Sequence, residues 1–250
     1  MAEALLETAG LSRLFGGLAA VQDVSLAVEA GVVHAVVGPN GAGKTTLINL
    51  LSGDLRPSAG SVRYKGRDIT SWPAHKVAHL GIGRSYQKTN IFRDYTAFEN
   101  CWLAAQARLP GAFHMLRPAR RCVEARARAA KALDLCGLAD RAGRRAAELS
   151  YGEQRQIEIA MLLATEPELL LLDEPLAGMG PEESAGVLAL LKRLARGHTL
   201  LMIEHDMDAV FAIAQRITVM VNGRVLATGA PAEIRANAQV QEAYLGEGAA

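Results

Sequence analysis

The 250-residue chain has little of what marks a secreted, nucleic-acid-binding or membrane-spanning protein. Its three cysteines, Cys101, Cys122 and Cys136, are an odd number without pairwise metal spacing, which argues against a disulfide framework and leaves reduced thiols as the expectation. Aromatic residues make up only 5% of the chain, and the two tryptophans, Trp72 and Trp102, read as packing residues or interface anchors rather than a nucleobase platform. Neither sign of charge dominates: Lys+Arg 27 against Asp+Glu 26 gives +1, so the footprint of a polyanion partner is missing and no nucleic acid is expected. No apolar run reaches the roughly 18 residues a spanning helix needs. The start, Met1 to Gly10, carries Glu3 and Glu7 and lacks a basic segment followed by an apolar one. Work at a membrane would then require other subunits to hold the chain there.

What the chain does have is an alternation of strand and helix signals. Val21 to Gly31 alternates apolar with small polar residues, and Val32 to Val37 is continuously apolar, as a buried strand would be. Gly60 to Ile69 reads as a short surface strand with a turn at Lys65-Gly66. From about Thr96 to Glu148 the texture changes to Ala, Arg and Leu, and Arg117 to Leu138 has the spacing of an amphipathic helix, which marks a helical insert with a solvated arginine face. The αβ pattern then resumes. Helices are predicted over Glu153 to Ala164 and Glu182 to Arg196, and buried strands over Leu169 to Leu172 and Thr199 to Ile203. Such alternation predicts an α/β fold with a mostly parallel sheet and ligands at the strands' C-terminal ends.

Two segments fit that context as chemistry. Gly38-Pro39-Asn40-Gly41-Ala42-Gly43-Lys44-Thr45, followed by Thr46, joins the Val32 to Val37 strand to a helix running to about Ser52. That is a P-loop: glycines turn backbone N–H groups inward on phosphate oxygens, Lys44 adds a point charge at the β- and γ-phosphates, and the Thr45 hydroxyl suits Mg²⁺. Leu169 to Leu172 delivers Asp173 and Glu174 at the end of a buried strand, where carboxylates are costly unless they act on a metal or a water. Asp173 is the expected Mg²⁺ partner, and Glu174 the base or water-orienting group for hydrolysis of the γ-phosphate. The pair His75 and His79 is spaced for two zinc ligands on one helix face, but Lys76 stands where a zincin has glutamate and no third ligand is evident.

Leu149-Ser150-Tyr151-Gly152-Glu153, read alone, is an ordinary helix cap. With the P-loop and the Asp-Glu pair it resembles the signature motif of the ATP-binding cassette family, with Tyr151 for the usual glycine and Glu153 for the usual glutamine. The resemblance runs from Leu11 to about Leu245. It implies a RecA-like P-loop core with an N-terminal antiparallel β subdomain, residues 1–87 and 155–250, and a helical subdomain, 88–154, that carries the signature. It further implies that Ser150, Tyr151, Gly152 and Glu153 face ATP bound by a second cassette, and that Gln87 joins Mg²⁺ and the attacking water to the helical subdomain. His205 matches the switch histidine at the γ-phosphate, and Phe15 stands either where an aromatic stacks on adenine or in the core. Two positions depart from the family: Gly180 replaces an aspartate before Pro181, and Met161 a frequent arginine.

Stretches such as Gly81 to Gln87, Thr89 to Phe92, Ala97 to Asn100, Gly178 to Glu183 and Glu242 to Gly246 are similar to a narrower group, the cassettes of branched-chain amino acid importers, in which Gly180 is common. Implied partners are two membrane permease subunits, a second cassette that is a paralogue or a second copy, and an extracytoplasmic substrate-binding protein. Implied location is the cytoplasmic face of the membrane, as a peripheral subunit. Rival readings are a related urea or aromatic-acid importer, a lipopolysaccharide exporter, and a soluble cassette acting on nucleic acid or ribosomes. The last usually carries two cassettes or a long coiled coil, and here Gln87 and Leu149 lie close together.

Overall fold

Three apolar runs with no polar face become neighbouring parallel strands. In a computed structural model that describes residues 4–109 and 122–245, β3 (Val33–Val37), β7 (Leu169–Asp173) and β8 (Thr199–Ile203) are buried at every position. They belong to a six-stranded sheet in the order β10-β9-β3-β8-β7-β6, completed by β6 (Ile82–Arg84), β9 (Arg216–Val221) and β10 (Arg224–Gly229). All its pairings are parallel except β9 with β10. Strands covered on both faces must be apolar on both faces, which is why these runs do not alternate.

The period of two still decides which core each side chain enters. Leu170 and Leu172 of β7, with Val33, Ala35 and Val37 of β3, join one cluster that packs on helices α3 (Ala97–Arg108), α4 (Val123–Leu135), α5 (Tyr151–Ala164) and α6 (Pro181–Leu194). Leu169, Leu171 and Val36 face the other way, onto α1 (Lys44–Leu51) and a four-stranded antiparallel sheet ordered β2-β1-β4-β5. That sheet comprises β1 (Ala4–Phe15), β2 (Leu18–Glu29), β4 (Ala59–Tyr64) and β5 (Arg67–Asp68). The last two strands turn at Lys65 and Gly66, both at positive φ, 50° and 72°, as a two-residue primed turn requires.

The chain is completed by α2 (Ala74–His79), α7 (Met207–Ile213), α8 (Pro231–Ala236) and α9 (Ala238–Leu245). The arginine-rich helix expected over residues 117–138 is seen as α4 from Val123; its first residues, 117–121, lie outside the described residues, as does Gly246. Arg128 of α4 pairs with Glu124 one turn back and with Glu166, so this arginine is spent within the protein. His34 is the one polar side chain of β3 and is buried. Its Nε2 meets Thr218 Oγ1 at 2.8 Å, and burial pushes its pKa down to about 4, so it is neutral at physiological pH.

Candidate active site

Parallel strands place their C-terminal ends along one edge of a sheet, and four of the expected segments follow those ends in spatial order. The Gly38–Thr45 loop follows β3, Glu204 and His205 follow β8, Asp173 and Glu174 close β7, and Gln87 follows β6. Register keeps them level: Val36 lies opposite Ile203, Ile203 opposite Asp173, and Leu171 opposite Arg84. Residues far apart in sequence thus share one rim, where ligands of open α/β sheets bind.

Two glycines of the loop after β3 sit where a side chain has no room. Gly38 and Gly43 have φ of 150° and 93°, and a Cβ at either would lie 2.0 Å from the Met220 carbonyl or 2.2 Å from the Ala20 carbonyl. Strands β9 and β2 therefore press on the loop from behind. Helix α1 begins at Lys44 with no side-chain cap, and a helix N-terminus of this kind is where backbone N–H groups and the helix dipole favour an anion. Lys44 is almost fully buried, and its Nζ donates to the carbonyls of Gly38 at 2.6 Å and Pro39 at 2.8 Å. Those bonds fix the ammonium against the loop.

Across the rim, Asp173 is buried. Its Oδ1 has no hydrogen-bond partner among the described residues, its Oδ2 lies 3.7 Å from Arg84 Nη2, and burial raises its pKa. A buried carboxylate oxygen without a donor is what a divalent cation would satisfy, so Asp173 fits the Mg²⁺ role expected of it. The next residue, Glu174, sits at φ 47°, an uncommon conformation for a non-glycine residue, with its N–H bonded to the Ile203 carbonyl at 3.0 Å. The turn swings its carboxylate to Gln87, whose Nε2 donates to Glu174 Oε2 at 3.2 Å. His205 projects into solvent, 62% exposed, with Nδ1 3.9 Å from Glu204 Oε2.

Phe15 ends β1 at 44% exposure, with the Arg13 guanidinium 4.7 Å from its ring centre, so it is not a core phenylalanine. The Ser150–Glu153 turn meets α6 and a neighbouring arginine. Ser150 and Glu153 form a reciprocal capping box on α5, Arg141 pairs with Glu153, and Gly152 N–H donates to Glu183 Oε1 at 3.0 Å. Tyr151 packs beside Gly178, and Gly180 stands at the N-cap of α6 with no side chain to cap it. In place of a zinc pair, His79 Nδ1 bonds to the His75 carbonyl at 2.7 Å, and no group of three candidate metal ligands occurs among the described residues.

Comparison with known proteins accords with this rim. A family model described as ABC transporter matches residues 21–177, well over half of the chain, and spans the loop, the Gln87 segment, the signature turn and the Asp-Glu pair. The chain is an ATP-binding cassette. A second model, for branched-chain amino acid ATP-binding cassette transporters, matches residues 224–250 of this cassette. The high-affinity branched-chain amino acid transport ATP-binding protein BraF of Pseudomonas aeruginosa is 43% identical across 99% of the cassette and all of its own length. LivG of Escherichia coli, of the same description, is 41% identical over the same shares. The lipopolysaccharide export ATP-binding protein LptB of Acidithiobacillus ferridurans is 36% identical over 97% of each chain. A crystal structure of an ABC transporter cassette in its ADP conformation superposes with a TM-score of 0.85 at 31% identity, covering 98% of the cassette and 99% of the other chain. As a member of this family the cassette binds nucleotide and is an ATP hydrolase.

Sequence reasoning missed four residues that build the site. Arg84, Arg155, Glu158 and Glu204 are charged side chains largely withdrawn from solvent at the rim, and Glu204 Oε1 accepts from the Leu176 N–H at 2.9 Å. The available signal was positional: Arg155 and Glu158 fall on the inward stripe of a predicted helix, where an uncharged residue is the rule.

Proposed function

We propose that this cassette is the ATP-hydrolysing motor of an importer for branched-chain amino acids, acting at the cytoplasmic face of the membrane. The observation that carries the substrate class is the match over residues 224–250, which lies outside the motifs any cassette needs and favours amino acid import over lipopolysaccharide export. No helix among the described residues is long and apolar enough to cross a membrane. The partners in this reading are two permease subunits that span it, in keeping with relatives described as branched-chain amino acid transport ATP-binding proteins. A groove beside Gln87 and two exposed aromatics support docking there. Gln87, Lys88, Thr89, Ile91 and Tyr151 line one groove, and Phe92 and Tyr95 stack at 5.5 Å while both stay exposed.

In this reading residues 1–87 and 155–250 form the core with its β subdomain, and residues 88–154 the helical subdomain. Helix α5 crosses that boundary. The Gly38–Thr46 loop, with Lys44, holds the phosphates, and Phe15 covers the adenine. Asp173, Thr45 and Gln87 would hold Mg²⁺, which would neutralise charge on the phosphate oxygens. Glu174 orients and deprotonates the attacking water, Gln87 reports its position to the permease groove, and His205 contacts the γ-phosphate. Ser150 and Gly152 of each cassette close on the γ-phosphate of the other, and the second cassette is a paralogue or a second copy. An extracytoplasmic binding protein delivers the substrate to the permease.

The test is a pull-down of tagged protein from gently solubilised membranes of its host. Two multi-helix permease subunits and a second cassette are expected to co-purify; ribosomes or nucleic acid without a membrane subunit would overturn the transport reading. In the recovered complex, Glu174→Gln is expected to lower steady-state hydrolysis by about 100-fold or more while ATP still binds.

A further inference from the structure

The guanidinium of Arg155 is buried one turn into the signature helix α5, and each of its five N–H donors is used. Nη2 donates to the carbonyls of Asp173 at 2.8 Å and Glu174 at 3.1 Å, and Nε to that of Pro175 at 3.4 Å. Three successive carbonyls of the turn that carries the catalytic carboxylate are therefore held by one side chain. Nη1 donates to the Tyr86 carbonyl at 2.6 Å and to Glu158 Oε2. Glu158, one turn further along α5, accepts the Tyr86 N–H on Oε1 at 3.2 Å and also the Asn90 N–H. The pair thus grips two turns at once, the one bearing Glu174 and the one bearing Gln87.

That grip has a mechanical reason to exist. Glu174 stands in a conformation that a non-glycine residue adopts only when its surroundings hold it there, and its backbone carbonyl is one of those that Arg155 binds. The side-chain bond from Gln87 to Glu174 spans the same two turns that Arg155 and Glu158 lace together through the backbone. A buried ion pair is seldom the most stable filling for a helix face, so its retention at this place points to geometry. We propose that Arg155, held by Glu158, is a positioning residue for hydrolysis. It sets the Glu174 turn against the Gln87 turn and ties both to the first turn of α5, where Ser150 and Gly152 lie. Movement of the signature turn on a partner's nucleotide is thereby passed to the cassette's own Glu174. The inference rests on the assignment of Glu174 given above.

The experiment uses the full-length chain, in the complex recovered by the pull-down, and reads ATP affinity and kcat separately. Arg155→Met keeps the bulk and removes every donor. Its kcat is expected to fall about 100-fold, the usual cost of a misplaced catalytic group, while the dissociation constant for ATP moves less than about 3-fold. Arg155→Lys is expected to stay close to Arg155→Met, because three donors on one atom cannot span five acceptors. Full rescue by lysine would overturn the proposal by reducing the role to charge. The double variant Arg155→Met with Glu158→Leu removes both buried charges together and is expected to unfold at a denaturant midpoint no lower than the parent's, yet hydrolyse as slowly as Arg155→Met. Parental hydrolysis by the folded double variant overturns the proposal, and so does its failure to fold, which would make the pair structural. Glu174→Gln, measured alongside, separates the two claims: normal hydrolysis there sinks the assignment of Glu174, whereas slow hydrolysis there with normal hydrolysis in the double variant sinks only the role of Arg155.

Discussion

The cassette has two helix-start turns expected to meet phosphate, and they are built in opposite ways. The Gly38–Thr45 turn is made of backbone under steric pressure: Gly43 has φ 93° and the Ala20 carbonyl stands where its Cβ would be. The helix after it has no side-chain cap. The Ser150–Glu153 turn has ordinary geometry and a full capping box, and Gly152 N–H is already bonded to Glu183 of the same chain. On the proposed reading, the turn without a side-chain cap takes phosphate directly, whereas the turn capped within the fold is a half-site that would have to exchange an internal acceptor for an external one.

Loss of the lysine should separate the two turns most sharply. Lys44→Ala removes the only cationic side chain of the loop, one that is buried and fixed by the Gly38 and Pro39 carbonyls. Hydrolysis is expected to fall by about 100-fold or more, the scale found for removing one preorganised group at developing charge. The fall should appear in the isolated chain's nucleotide affinity as well, measured with a fluorescent ATP analogue. A variant that binds and hydrolyses normally would deny the loop its role.

A matched pair of glycine substitutions sharpens the comparison further. Gly43→Ala drives a Cβ against the backbone of β2 at a φ that alanine avoids, and is expected to cost about 1–3 kcal/mol of stability together with most nucleotide affinity. Gly152→Ala is different, because no left-handed φ is involved and its Cβ would meet the Glu183 side chain, at 2.9 Å from Cβ. Nucleotide affinity of the isolated chain should remain within about 2-fold of the parent, whereas hydrolysis in the assembled complex should fall about 10-fold, through the displaced turn alone. Equal loss of affinity in both variants would mean that the two turns are not distinct in kind.

Much of this contrast was legible in the sequence. The buried strands, the loop between β3 and α1 and the Asp173-Glu174 pair announce themselves because apolar runs, glycine spacing and paired carboxylates each have few physical explanations. Gln87, His205 and Ser150 did not, since a lone glutamine, histidine or capped serine has many; they were reached by resemblance, and the sheet then set Gln87 within 3.2 Å of Glu174. Phe15 was left between core and ligand, and only its exposure on the described surface removes the core. Arg155 and Glu158 showed only as charges on the inward stripe of a helix, and the partners that give them and Glu183 their meaning are three-dimensional. Periodicity marks Arg155 as inward, but not that it binds the carbonyls of residues 86, 173, 174 and 175.

The smallest expected effect concerns the internal acceptor of the half-site. Glu183 accepts from Gly152 N–H and from the Ser150 hydroxyl, and these bonds, the backbone one foremost, hold its carboxyl below the usual carboxylate range. A charged acceptor bonds a backbone N–H about twice as strongly as a neutral one, so Glu183→Gln weakens the contact without removing its shape. In the assembled complex an ATP phosphate from the partner cassette would displace this side chain from Gly152, and a weaker occupant is easier to displace. The ATP concentration giving half-maximal hydrolysis is therefore expected to fall about 2- to 3-fold with kcat nearly unchanged, a shift that hydrolysis titrations on the complex resolve. The sign is the informative part. A rise instead of a fall would mean that Glu183 holds the signature turn in its closing geometry, and the turn would then be preformed in the same sense as the loop that carries Lys44.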